Sequence, residues 1–406
     1  MSQIARLAAV TGLALAFATP ALAQTTTPTA LNGQLNWSDV VADMTVVTRD
    51  RTKSAAAAAT ATGNAVSGDT TGGLDARSRQ EMSGSARAGA TLEGGDVRHG
   101  SATAQAHANT LDAHTARGNL NLSAAQFAKG GDVNARARAD IRNAYTLEAA
   151  SAAVLNSATT SVYHGDQTVR LFQQATQSAA AVTDVDACCT GETNAAAASA
   201  INAWSARSST STVMANYEQE SWAGSSQATT DIYQGRAWDV TAATSAASNS
   251  ASVANKWGYA QIHGSQSSHT DVRADTRVTL PEFAGSIDIS SYGVGNATLA
   301  INVGSDMILD VTQMNTGGVE ANAQMTGASH DYGDVTLSAT AIGNEVYGQV
   351  CSQCGDAALT GAVSQNNGGH IVATGRVTAG GAGHIVGSAT AIGNSATFFT
   401  GRITGN

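Results

Sequence analysis

Proline, lysine and bulky side chains are scarce in this chain of 406 residues. The prolines are Pro20, Pro28 and Pro281, and the lysines are Lys53, Lys129 and Lys256. Each proline removes a backbone donor, so a chain with so few is free to build long uninterrupted hydrogen-bond ladders. Aromatic residues make up only 5%, which excludes a wide core filled by rings. The 21 Lys and Arg residues against 31 Asp and Glu give a net charge of −10. That balance excludes the basic footprint that nucleic-acid binding needs. Beyond the first two dozen residues no stretch approaches the roughly 20 continuous apolar residues of a membrane-spanning helix. Gly-x-Ser-x-Gly, His-Glu-x-x-His and phosphate-loop texts are also missing, so no familiar catalytic constellation is announced.

The N-terminus has its own character. One basic residue, Arg6, precedes the mostly apolar run Leu7–Phe17, then Pro20 and the small-residue ending Ala21-Leu22-Ala23. This is the pattern of a secretory leader cleaved after Ala23. Export is therefore expected, leaving a chain of 406 − 23 = 383 residues. Residues 24–50 read as a lead-in segment, 51–280 as degenerate Ala/Ser/Thr-rich repeats, and 281–406 as more regular Gly/Asn-rich repeats.

The repeats are marked by Asn64, Asn109, Asn156, Asn202, Asn249, Asn296, Asn344 and Asn394, at steps of 45, 47, 46, 47, 47, 48 and 50 residues. The clearest copy is Ser338-Ala-Thr-Ala-Ile-Gly-Asn344, repeated letter for letter at Ser388–Asn394. A period of this size signals stacked units, each leaving a face bare until the next covers it. About half a period after each Asn, small and polar residues alternate, as in Val133-Asn-Ala-Arg-Ala-Arg-Ala-Asp-Ile141. Period-two alternation predicts a strand with Ala135, Ala137 and Ala139 inward and Arg136, Arg138 and Asp140 outward. Gly94-Gly-Asp-Val97, Gly130-Gly-Asp-Val133 and Gly368-Gly-His-Ile371 have the residues of tight corners. The expected fold is an all-β solenoid of about eight repeats. Taking each half-repeat as one coil of about 23 residues predicts roughly 16 rungs and a rod on the order of 75–80 Å long. Alanine also favours helix, so Ala55–Ala59, Ala149–Leu155 and Ala195–Ala203 leave a helical alternative open for the N-terminal half. In the strand reading, stacked Asn amides can bond from rung to rung.

Several residues could carry chemistry. Cys188, Cys189, Cys351 and Cys354 are disulfide candidates in an exported chain, with local closure of each pair favoured over cross-pairing. Zinc binding and redox exchange are the lesser readings of these thiols. Trp204, Trp222, Trp238 and Trp257 are spaced near the supposed rung length. They are expected either to stack as a strip for sugar faces or to fill corners of the solenoid. His370 and His384 share Gly-His-Ile text, Asp96 and Asp132 share Gly-Gly-Asp, and Glu218/Glu220 and Asp184/Asp186 are close acid pairs. Each has a metal or acid-base reading, and each is more simply a repeat residue or a solvated acid. No catalytic, cofactor or metal residue is assigned.

The leader, the Ala/Ser/Thr/Gly-rich body and the text opening on Ala-Thr and closing on Gly-Asn (Ala61–Asn64, Ala339–Asn344, Ala389–Asn394) together resemble the HfaD family of holdfast anchor proteins. That resemblance implies a non-catalytic protein of the cell surface or outer membrane. It would attach an adhesive polysaccharide with the curli-like HfaA and the secretion-pore-like HfaB, and it has no catalytic residues to carry over. A glycan-active β-helix enzyme and a generic repeat adhesin are the alternatives. Exposed end rungs also allow self-association.

Overall fold

The computed structural model describes residues 29–222, 224–329, 333–352 and 357–402. The expected leader, residues 1–23, and Cys354 lie outside the described residues. Every regular element within them is a strand, and every strand pairing is parallel. The first rung comprises β1 (Thr29–Asn36), β2 (Val40–Thr48) and β3 (Thr52–Thr70). The second is β4 (Leu74–Met82) with β5 (Ala86–Thr115), the third β6 (Leu120–Ala128) with β7 (Val133–Val162). The fourth is β8 (Gln167–Ala175) with β9 (Ala179–Ser209), the fifth β10 (Val213–Ser221) with β11 (Ser225–Lys256). The sixth is β12 (Ala260–Ser268), β13 (Asp271–Phe283) and β14 (Ile287–Val303). The seventh is β15 (Met307–Asn315), β16 (Val319–Ser329) and β17 (Val335–Ser352), and the eighth β18 (Leu359–Asn367), β19 (Ile371–Gly380) and β20 (Ile385–Arg402). The Ala-rich segments are strand throughout, so the helical alternative for the N-terminal half does not hold.

The rung is twice the size expected. Asn156 pairs with Asn202 and Asn109 with Asn156, so one full repeat of about 47 residues makes one turn of the solenoid. Eight rungs at about 4.8 Å give a body close to 38 Å long, half the expected rod. The two strand-like halves of each repeat face each other within one coil. In the third rung the short strand β6 and the first leg of β7, Val133–Ile141, lie along one side, and the second leg from Leu147 to Val162 backs onto both. Between the legs, Arg142 to Tyr145 all turn partly or fully outward, which bends the strand. In the first rung and from the sixth on, this bend is a break between two strands.

Alternation places the core. Ala135, Ala137 and Ala139 are buried while Arg136 and Arg138 face solvent. One cluster of buried residues lies between the first leg and the start of the second leg, and is mostly Ala and Val. The other lies between the short strand and the end of the second leg, with Leu120, Leu122, Val169, Ile262 and Leu309. A thin layer of this kind needs small side chains, which explains why so few aromatics suffice. On the second leg the inward phase shifts once, so that Leu155 and Asn156 are both buried, as are Ile201 and Asn202.

Corners are tied by carboxylates. Asp39, Asp132, Asp166, Asp239 and Asp271 each accept the backbone N–H of a residue one rung later, at 2.8–3.1 Å. The backbone N–H and hydroxyl of Ser85 hold the Asp39 carboxyl below the ordinary carboxylate range. A depressed folded-state pKa gives stability that is present above about pH 4 and is lost as pH falls through the folded value. In thermal melts from pH 6 to pH 2, Asp39→Ala is therefore expected to melt below the parent at pH 6, with the gap closing as pH falls below the ordinary carboxylate range. A gap that stays constant with pH would remove the carboxylate from this role.

Candidate functional site

The middle residues of all eight short strands line one groove of about 1160 Å³ on the outer face of their sheet. Seven strand spacings make it about 34 Å long. Outward positions stack in register across it. One column runs Arg77, Ser123, Arg170, Asn216, His263, Asp310, and the next runs Arg79, Ala125, Phe172, Glu218, Ser265, Thr312. Cations therefore gather over the second to fourth rungs and acids over the fifth to seventh. In the basic half the Arg79 guanidinium lies 4.7 Å from the Phe127 ring centroid, with Lys129 4.8 Å from the same ring and Phe172 5.6 Å from it. In the acidic half, partial burial and the neighbouring Glu220 push the Glu218 carboxyl up, and His263 Nδ1 sits 3.1 Å from Asp310 Oδ2. A long floor with donors, acceptors and ring faces can hold an extended polar polymer through many weak contacts.

The tryptophans do not form a strip, because their spacing of 16–19 residues is well under half a rung. Trp204 is buried on β9 with its ring 5.3 Å from that of Tyr217. Trp222 stacks on His269 at 4.0 Å at the corner after β10. Trp257 holds the opposite corner with φ 64°, a position taken by Gly304 in the next rung and by Thr210, φ 57°, in the one before. Trp238 lies at the bend of β11, where it lines a separate hollow of about 670 Å³ with Tyr145, Gly191 and Arg236.

The Cys188 and Cys189 sulfurs are 2.9 Å apart, and both are free thiols rather than the expected vicinal bridge. Cys351 is a buried free thiol three rungs farther on, so cross-pairing with the vicinal pair has no geometric basis within one chain. Its neighbour Cys354 falls outside the described residues. His370 and His384 sit at opposite ends of β19, about 30 Å apart at strand spacing. His384 Nδ1 is instead 2.9 Å from Asp334. Asp96 is held by Asn143, Arg142 and Arg51, and Asp132 caps the Ser178 N–H. Asp184 pairs with Arg136 at 2.7 Å. Glu220 accepts from Gln174 Nε2 at 2.8 Å.

All eight marker asparagines occupy one column. Each Nδ2 from Asn64 to Asn344 donates to the Oδ1 of the next, at 2.7–2.9 Å. A second amide column was not anticipated: Gln34, Gln80, Gln126, Gln173, Gln219, Gln266, Gln313 and Gln365. Each Nε2 from Gln80 to Gln365 donates to the Oε1 of the rung before, at 2.7–2.9 Å. The two ladders run in opposite directions through the body.

No curated protein and no solved structure matches this chain. Residues 49–318, two thirds of the sequence and nearly six of the eight rungs, match the family described as HfaD, holdfast attachment protein D. With its all-parallel stacked strands and its match over most of the described body, the chain belongs to the holdfast attachment protein D family.

Proposed function

We propose that this protein is a non-catalytic, exported spacer on the outer envelope that holds an adhesive polysaccharide at the cell surface. Membership of the holdfast attachment family carries the reading. The groove along the short-strand sheet supplies a seat of fitting shape, long and narrow, with Arg77, Arg79 and Arg170 exposed and Phe172 half-buried along its basic half. Attachment to the envelope is assigned to partners, a curli-like subunit and an outer-membrane secretion pore. The acid pairs of the sequence serve as solvated or salt-bridged strand residues in this reading.

The experiment replaces the gene with one encoding Arg77→Ala, Arg79→Ala and Arg170→Ala. These side chains are exposed, so surface levels and the β-rich circular dichroism spectrum should be unchanged. Cells carrying the variant are expected to shed adhesive into the medium, and binding of the purified polysaccharide should weaken at least tenfold. Full adhesive retention by the triple variant would reject the groove as the seat. New reducing or unsaturated ends after incubation with the polysaccharide would overturn the non-catalytic part.

A further inference from the structure

The two ends of the solenoid are complementary. At the N-terminal end, Asn64 Oδ1 is an acceptor to which no described residue donates, and Gln34 Nε2 donates only to Ala65 O, leaving one N–H for a rung below. At the C-terminal end, Asn394 Nδ2 has no acceptor among the described residues, and Gln365 Oε1 receives no donor. The opposed ladders thus finish as acceptor-plus-donor on one face and donor-plus-acceptor on the other, in the same two columns. A copy stacked in register continues both.

Among the described residues the core is also open at each end. Inward positions that are fully buried in middle rungs are half bare in the terminal ones: Ile385, in the column of Ile287 and Val335, is 50% exposed, and Phe398 is 46% exposed. Val40, Met44 and Val46 of β2 are only partly covered. Solenoids normally finish in a polar capping unit, and edge strands are normally guarded by charge or proline. Here β1 and β18 contain no charged residue, β2 has only Asp43, β19 has only Arg376, and none of the four contains proline.

We infer that this chain stacks head to tail on copies of itself, the first rung of one copy seated on the last rung of the next, with both amide ladders and the parallel sheets running through the junction. Asn394 Nδ2 then meets Asn64 Oδ1, and Gln34 Nε2 meets Gln365 Oε1, of adjacent copies. Each copy lengthens the rod by about 38 Å. A heterologous contact of this kind leaves a free end after every addition, so assembly is open-ended. The inference is independent of the groove, whose test reads polysaccharide retention.

The test uses purified protein in sedimentation velocity and negative-stain microscopy. The parent should form rods that lengthen with concentration in steps of one copy. Phe398→Glu blocks the C-terminal face and Met44→Lys the N-terminal face, and each alone should sediment as a monomer with an unchanged circular dichroism spectrum. Mixed in equal amounts, the two should form a dimer that grows no further, because one sound face of each type remains. Asn394→Asp keeps the oxygen that accepts from Asn344 and loses only the outgoing donor, so it should shift assembly to at least tenfold higher protein concentration. A parent that stays monomeric, a mixture that fails to pair, or a two-fold dimer that stops at two copies would overturn head-to-tail stacking.

Discussion

Asn202→Ala is expected to destabilise the protein by about 3–5 kcal/mol, whereas Asn394→Ala costs less than about 1 kcal/mol in the monomer. Asn202 is fully buried, accepts from Asn156 at 2.9 Å, and donates to Asn249 Oδ1 at 2.8 Å and to Glu220 O at 2.9 Å. Alanine removes all three bonds at once. Each buried partner left unsatisfied costs about 1–3 kcal/mol, and a chain of polarised amides loses cooperative strength as well. Asn394 is exposed and terminates the column, so its loss strands only the Asn344 donor beside solvent. Urea melts of the two variants against the parent decide the matter, and equal losses would show that the ladder is ornamental to stability.

The second large effect concerns a shared space in the sixth rung. Tyr217 is buried, and its hydroxyl lies 2.6 Å from Thr298 Oγ1. Burial pushes its phenol above the ordinary tyrosine range, so the ring stays neutral and the hydroxyl keeps its proton. A Cβ built on Gly264, one rung away, would lie only 2.2–2.5 Å from the Tyr217 Cζ, Oη and Cε1. Tyr217→Ala should therefore cost about 3–5 kcal/mol through the cavity it opens, and Gly264→Ala about 1–3 kcal/mol through overpacking. In the double variant the added methyl enters space that the ring has vacated. The two costs should then fail to add, by at least about 1 kcal/mol in a double-mutant cycle. Additive losses would mean that the ring and the glycine do not compete for one volume.

Both effects depend on stacking that the sequence revealed unevenly. The asparagine column was legible because its spacing is regular and identical text surrounds Asn344 and Asn394. The glutamine column has steps of 46, 46, 47, 46, 47, 47 and 52 residues, the same signal, yet it was not read. Gln80 stands in polar text, Arg-Gln-Glu, and Gln126 between Ala and Phe, so no shared local text sets these buried amides apart from solvated ones. Their identity as core residues follows only from the bonds they make to the next rung. Tyr217 and Gly264 lie 47 residues apart, and nothing in their local text says that one occupies the other's space.

The candidate site was less legible. Arg77 and Arg170 are two rungs apart in one column, and Phe172 follows Arg79 by two rungs in the next. The tryptophans offered a more visible spacing, but 16–19 residues carries the chain only part of the way round a 47-residue coil. They consequently end on β9, at two corners and at a bend. Cysteine proximity along the chain likewise brought the Cys188 and Cys189 sulfurs close without joining them.

Period-two alternation is a property of one strand, so the sequence alone determined the inward side of the plainly alternating segments and that copies recur about every 47 residues, while the strand state of the Ala-rich segments was decided by the structure. Alternation does not name the strand lying opposite. Only the tertiary structure decided that the two halves of a repeat face one another across a single coil, which halved the rod and doubled the rung. The same folding aligned eight short strands into a groove, and it set two amide ladders in opposite directions. Direction belongs to hydrogen bonds between rungs, and a linear sequence does not contain those bonds until the rungs are stacked.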